Sequence, residues 1–184
     1  MKKLSCISCL CAVYSALLIF VGVLPLPKPY AEIVYGIFVL LQLALFSLLL
    51  ADQVWRTHLK RALIFIVIGL SISAFTRIFG KIVSVTGIST LQLGALISTL
   101  FGGAGIFRLI GDILWFKSFD GNKIVKLLPL VIQIVSFLGA ILDVMLIEYL
   151  STYEYGVFDV VRKLVLSILT AGFYIALCRY LLRS

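Results

Sequence analysis

The sequence predicts an all-α fold, a polytopic transmembrane helical bundle of six spans with the N- and C-termini in the cytoplasm. Three observations predict it: an apolar composition, six apolar stretches of spanning length, and basic residues that alternate between two sides. Of the 184 residues, 62% are hydrophobic and 13% are charged, and the mean hydropathy is +1.19. A soluble domain of this size must cover its core with polar surface, so this composition requires lipid as solvent. We therefore expect a single integral membrane domain, 1–184.

Six apolar stretches have the length of membrane spans. A helix needs about 20 residues to cross a hydrocarbon core about 30 Å thick. The predicted spans are 4–24, 33–51, 62–79, 88–107, 127–147 and 164–182. Short polar segments separate them, so little of the chain remains for a soluble domain.

The first stretch follows Lys2 and Lys3, as the apolar part of a signal peptide would. It is longer than such a part, and Val23-Leu24-Pro25 offers no small-residue cleavage site. We therefore expect it to remain in the protein as the first span. The second and third stretches are the shortest, and their ends are the least defined.

Lysine and arginine are distributed unequally between the two predicted sides of the membrane. The predicted outer side holds only Lys28, Arg77, Lys81, Arg162 and Lys163. The predicted cytoplasmic side holds Lys2, Lys3, Arg56, Lys60, Arg61, Arg108, Lys117, Lys123, Lys126, Arg179 and Arg183. Because basic residues concentrate in cytoplasmic segments, this bias favours an even number of spans with both termini inside.

The region after the predicted fourth span leaves two alternatives open. Residues 108–119 include Trp115, Phe116 and Phe119 among charged residues, a pattern typical of a segment at the headgroup level. The same residues also fit a fourth helix that continues past 107. Within that span, Gly102-Gly103-Ala104-Gly105 could unwind and offer its backbone to a ligand, or could stay helical.

Small residues at helical spacing predict where spans pack, because membrane helices associate through close contacts. The third and fourth spans carry such faces, and we expect these two to pack as a hairpin. The residues concerned are Gly69 and Ser73 in the third span and Gly94, Ser98, Gly102 and Gly105 in the fourth. Such faces are common in membrane proteins, so they indicate packing and not a particular activity.

Asp143 and Arg77 lie at a similar predicted depth, about 6 Å below the outer interface at 1.5 Å per residue. An ionised carboxylate inside the bilayer costs about 2.5–3.5 kcal/mol, so Asp143 is expected to be paired, hydrated or protonated. One interpretation is a structural ion pair with Arg77. The other is an outward-facing polar cavity for a small solute or a proton, lined by both residues with Gln133 and Gln42.

Two further charged groups are expected to be neutralised locally. Arg108 and Asp112 are four residues apart at the inner end of the fourth span, so they can pair at the interface. Arg162 and Lys163 are expected to extend outward toward acidic neighbours such as Asp159. Neither group requires a functional explanation.

The cysteines Cys6, Cys9, Cys11 and Cys178 all lie near the predicted cytoplasmic surface, where thiols stay reduced. We expect them to pack as small apolar side chains; a four-thiolate metal site and S-palmitoylation are alternatives. His58 is the only histidine, so a histidine-rich metal or haem site cannot form. We therefore expect no metal, no cofactor and no catalytic residue, and an enzyme is the least supported class.

Two functional classes remain. The first is a small-solute binding or transport protein with a polar intramembrane cavity. The second is a non-catalytic subunit or scaffold of a larger membrane complex. In size and span count the chain is similar to the substrate-binding components of energy-coupling-factor transporters. Ala12 and Ala16 resemble the small-residue contact on the first helix of those proteins, while the rest of the chain carries no substrate signature of that family.

The predicted partners are the lipid bilayer and either other membrane subunits or further copies of the same chain. Nucleic acid is not expected, because the basic residues follow the membrane topology. Met1-Lys2-Lys3 favours the bacterial plasma membrane.

Overall fold

The structure is a computed structural model, and it describes residues 2–23, 28–86, 91–146 and 152–183. This part of the chain forms six α-helices and contains no strand. The helices are α1 (Lys2–Val23), α2 (Lys28–Ala51), α3 (Gln53–Thr86), α4 (Leu91–Ser118), α5 (Lys123–Leu146) and α6 (Thr152–Arg183). The predicted spans correspond to these helices in order, so the all-α prediction is confirmed.

Five stretches within the described helices are long and apolar enough to cross a membrane. They are Ile33–Ala51, Gln53–Gly80, Leu96–Ser118, Lys123–Leu142 and Gly156–Arg183. The apolar part of α1 whose side chains are described, Leu4–Ile19, is shorter than a typical span. The prediction of a membrane-spanning helical protein is thus supported for five helices, while the sixth span stays a prediction.

The fourth helix differs from two of the sequence-based alternatives. It is continuous from Leu91 to Ser118, so Gly102-Gly103-Ala104-Gly105 does not unwind and 108–118 forms no separate interfacial segment. The reason is local: Arg108 and Asp112 neutralise each other one turn apart, and the surrounding residues are apolar. The last helical contact is the hydrogen bond from the Phe119 N–H to the Trp115 carbonyl, at 2.9 Å.

Side-chain caps mark where two helices begin. Asp52 is the single non-helical residue between α2 and α3, and its Oδ1 accepts hydrogen bonds from the N–H groups of Val54 and Trp55 at 3.0 and 3.4 Å. Asn122 caps α5 in the same way, because its Oδ1 accepts a hydrogen bond from the Ile124 N–H at 2.8 Å. These oxygens satisfy N–H groups that the first helical turn leaves without an intrahelical partner.

The helices form two compact units. The terminal unit comprises Met1–Tyr35 and Asp120–Ser184, and the central unit comprises Gly36–Phe119. In the terminal unit α6 packs against both α1 and α5, and in the central unit α3 packs along α4. Each unit therefore has its own helix–helix contacts.

In the terminal unit, α1 packs on α6 through a face of small and hydroxyl side chains. Ser8 and Ser15 are fully buried, and Ala12 is buried between them. The Ser8 hydroxyl donates to the Tyr174 carbonyl at 3.5 Å, and the Ser15 hydroxyl donates to the Ala12 carbonyl at 3.0 Å. Small residues let two membrane helices approach closely, and the hydroxyls find partners inside the contact.

A disulfide between Cys9 and Cys178 joins α1 to α6, with the two Cα atoms 5.3 Å apart. The expectation that all four cysteines stay reduced and pack as apolar residues is therefore wrong for this pair. The pairing arises because antiparallel packing brings the start of α1 next to the end of α6, where the Cys178 sulfur also lies 4.0 Å from the Ser5 carbonyl oxygen. Cys11 is buried and unbridged, and Cys6 is exposed and unbridged.

Candidate polar site in the central unit

Two glycines bring α3 and α4 into backbone contact. A Cβ atom added at Gly69 of α3 would lie 2.9 Å from the Ala104 carbonyl oxygen and 3.0 Å from the backbone nitrogen of Arg108. A Cβ added at Gly111 of α4 would lie 2.9 Å from the Ile66 nitrogen. A larger side chain at either position would force the helices apart, so these glycines determine how closely α3 and α4 pack.

This close contact places an ion pair inside the central unit. The Arg108 Nε donates a hydrogen bond to the Asp112 Oδ2 at 3.1 Å, so the predicted pairing of these residues is confirmed. Its burial was not predicted: the side chains are 18% and 1% exposed, respectively. The second carboxylate oxygen, Asp112 Oδ1, is buried and accepts no hydrogen bond from the described chain.

A cluster of aromatic rings in the central unit contacts the pair through Arg108. The Arg108 guanidinium carbon lies 5.0 Å from the centre of the Phe46 ring, a cation–π distance. Phe46 also packs edge-on against Trp115, with ring centres 6.2 Å apart. Trp115 is fully buried and stacks on Phe119 at 5.2 Å and on Trp55 at 6.0 Å. These four rings therefore form one connected cluster that joins α2, α3 and the end of α4.

The depth of Asp112 within a candidate membrane span determines which ligands the ion pair could bind. It lies inside the candidate span Leu96–Ser118, six residues or about 9 Å of helix rise before Ser118. In such a low-dielectric setting the pair is held strongly, and a carboxylate oxygen without a hydrogen bond is costly. The site can therefore accept one hydrogen bond from a small donor or hold a proton, and its overall neutrality does not favour a multivalent ion.

The residues of the predicted outer cavity are divided between the two units. Arg77 and Gln42 belong to the central unit, where Arg77 is exposed with its guanidinium carbon 5.9 Å from the Phe101 ring centre and Gln42 is half-buried. Gln133 and Asp143 belong to the terminal unit on α5; Gln133 is half-buried, and the side chain of Asp143 lies outside the described residues. The cavity therefore stays a prediction.

The residues predicted to pack α3 against α4 occupy different environments. Gly69 is buried at the contact described above, and Ser73 is half-buried. The α4 glycines have space around them, since a Cβ added at any of Gly94, Gly102 and Gly105 would meet no atom within 4 Å. Ser98 is exposed, as are the first two of those glycines. The observed close approach of α3 and α4 thus passes through Gly69 and Gly111.

Sequence reasoning missed Gly111 and the burial of Asp112. It ended the fourth span at residue 107, which left both residues outside the membrane-spanning segment. Extending the span to Ser118, as the structure does, places Asp112 as a lone carboxylate in an apolar helix with Gly111 beside it. The signal was therefore present, but it depended on the helix boundary.

The remaining groups that could bind a metal are dispersed. Among the residues with described side chains, no group of three or more His, Cys, Asp or Glu residues could hold a metal ion.

The composition, the five candidate spans and the buried ion pair within one of them are those of an α-helical integral membrane protein. No protein-family model, curated protein or solved structure matches the chain.

Proposed function

We propose that this chain is a six-span membrane protein that binds or transports a small polar solute, with Asp112 as a contact for that solute. One observation carries the proposal: Asp112 Oδ1 is buried within a candidate span and has no hydrogen-bond partner in the described chain. Ionisable groups inside membrane proteins are costly and are retained mainly where they bind or relay something. A donor group of a solute, or a proton, would complete the hydrogen bonding of this oxygen.

The ion pair favours particular ligands. Arg108 already compensates the charge of Asp112 through the bond to Oδ2, so the site has little net charge to offer a metal cation. A hydroxyl or amide donor needs only the lone pairs of Oδ1. The preferred solute is therefore a small, uncharged molecule with a hydrogen-bond donor.

The outer polar residues extend this proposal. On the predicted topology, Asp143 and Arg77 lie toward the outer side, Gln42 lies at the middle of its span, and Gln133 and the Arg108–Asp112 pair lie toward the inner side. Transport requires polar contacts along the path, and these two groups would supply them near opposite faces. The outer group is the predicted entry cavity, and the inner pair is the site whose geometry is described.

Wild-type protein purified gently from membranes is expected to retain a small molecule in native mass spectrometry, and Asp112→Asn is expected to lose it. The amide keeps the shape of the side chain but changes the hydrogen bonding and removes the charge. Asp159→Asn is the matched control, because Asp159 is bonded to both Arg162 and Lys163 and should not affect retention. Equal retention by Asp112→Asn and wild type would contradict the role of Asp112.

A subunit or scaffold role is the second candidate, and one observation favours it. Gly94, Ser98 and Gly102 are spaced four residues apart on α4 and are exposed in the structure. Small residues at this spacing are typical of helix–helix interfaces in membranes. In the same native mass spectrometry experiment, stoichiometric partner proteins that are lost in Gly102→Leu and kept in Gly156→Leu would favour this candidate.

We further propose that α1 also crosses the membrane and that both termini are cytoplasmic, in a bacterial plasma membrane. The antiparallel packing of α1 on α6 supports the part of this proposal that places both termini on one side, since it brings the start of one helix beside the end of the other. If both helices cross, the two chain termini lie on the same side.

Reporter fusions in a bacterium test the topology. A C-terminal green fluorescent protein is expected to fluoresce, because it folds in the cytoplasm. Alkaline phosphatase fused after Lys28 is expected to be active, because α1 would carry it across the membrane, whereas the same enzyme fused after Arg61 should be inactive. An inactive fusion after Lys28 would mean that α1 does not cross.

A further inference from the structure

The start of α1 carries an exposed thiol next to a disulfide. Cys6 is exposed and unbridged, and Cys9, three residues later on the same helix, is bonded to Cys178 of α6. Residues three apart lie on neighbouring positions of a helical face. Cys178 is 8% exposed and Cys9 is half-buried, so Cys6 is the most accessible sulfur of the three.

We propose that Cys6, Cys9 and Cys178 form a thiol–disulfide exchange site that accepts electrons from a small dithiol. Cys6 is the sulfur that meets the substrate, Cys9 is the sulfur shared by both disulfides, and Cys178 is the partner of Cys9 in the oxidised state. At a cytoplasmic surface such a disulfide is transient, as in catalytic or redox-sensing sites. This activity is independent of the solute site at Asp112, which lies in the other unit.

The first step is internal. The Cys6 thiolate attacks the Cys9 sulfur, the Cys6–Cys9 bond forms, and the Cys9–Cys178 bond breaks. Cys178 leaves as a thiolate and takes up the proton that Cys6 lost. The step involves no net oxidation, and it moves the disulfide from a buried partner to an exposed one.

The second stage consumes the dithiol. One of its thiolates attacks the Cys6 sulfur and releases Cys9 as a thiol, forming a mixed disulfide. The second thiol of the dithiol then attacks the first sulfur of the same dithiol, which is bonded to Cys6 in the mixed disulfide, and releases Cys6 as a thiol. The dithiol leaves as a cyclic disulfide, having lost two electrons and two protons, and Cys9 and Cys178 end as thiols.

Accessibility explains why the site needs Cys6. A substrate that attacks the Cys9–Cys178 bond directly must reach a sulfur that the α1–α6 contact shields, whereas Cys6 is open to it. Cys11 cannot replace Cys6, since its side chain is fully buried. The same exchange removes the covalent link between α1 and α6, so the redox state determines whether the two chain ends are joined.

The test is the rate at which dithiothreitol reduces the Cys9–Cys178 disulfide in the full chain, purified in detergent without reductant. Thiols that appear with time are labelled with a maleimide and located by peptide mapping. Cys6→Ser is expected to slow the reduction on the order of tenfold or more, because a positioned internal thiol competes strongly with an external one. Cys11→Ser is the matched control and should reduce at the wild-type rate.

A second variant tests the internal step. In Cys178→Ser, glutathione disulfide is expected to oxidise Cys6 and Cys9 to an intrahelical disulfide, releasing two glutathione thiols. Peptide mapping that finds only glutathione adducts in that variant would overturn the proposal. A wild-type reduction rate in Cys6→Ser, or reduced Cys9 and Cys178 in the protein as purified, would overturn it as well.

Discussion

Arg108→Met is expected to destabilise the protein by about 3–5 kcal/mol, because it leaves the buried Asp112 carboxylate without its charged partner. Methionine preserves much of the length and apolar volume of the arginine side chain, so lost packing against Phe46 should contribute little. The measurement is the free energy of unfolding in mixed detergent micelles, followed by the fluorescence of Trp55 and Trp115.

The double variant Arg108→Met, Asp112→Leu separates pairing from packing. With both charges removed, no uncompensated charge remains, and most of the lost stability should return. Such recovery is the signature of a buried pair that costs more to break than to delete. A loss of less than about 1 kcal/mol in Arg108→Met would match an exposed pair and would contradict the burial of Asp112.

Gly69→Ala is expected to destabilise the protein by about 1–3 kcal/mol, the usual cost of overpacking a close contact. The added methyl group would lie 2.9 Å from the Ala104 carbonyl oxygen, which belongs to the backbone of α4 and cannot rotate away. The expected structural result is a wider separation of α3 and α4 and a weaker Arg108–Asp112 contact. The same unfolding assay measures the loss.

Gly80→Ala is the matched control in the same helix. A Cβ at Gly80 would meet nothing within 4 Å, so only the higher helix propensity of alanine remains, which is worth up to about 1 kcal/mol. The two substitutions should therefore have opposite signs. Equal effects would mean that α3 does not approach α4 at Gly69.

Much of the architecture could be predicted from local properties of the sequence. Apolar length predicted helices in the correct order, and the small residue Gly69 was correctly singled out in the third span. Helix boundaries were harder. The fourth helix continues to Ser118 because a neutral ion pair does not interrupt it, which hydropathy alone does not register.

The candidate site depended on contacts that a linear reading cannot contain. The pairing of Arg108 with Asp112 followed from their spacing of four residues, but the burial of that pair depends on Phe46 of α2 and on the backbone approach at Gly69 and Gly111. The cysteine pairing is similar, because Cys9 and Cys178 are 169 residues apart. Spacing along one helix therefore predicted the Arg108–Asp112 ion pair, but it carried no information about the Cys9–Cys178 disulfide.

The sequence by itself determined the solvent and the secondary structure of this protein. Its composition requires lipid, and each apolar stretch satisfies its backbone hydrogen bonds internally as a helix. Tertiary structure decided which faces meet, which carboxylate oxygen lacks a partner and which thiols bond. The physical reason is that lipid solvates an apolar helix face about as well as a neighbouring helix does, so hydropathy cannot select helix neighbours. Close backbone contact and polar pairing select them.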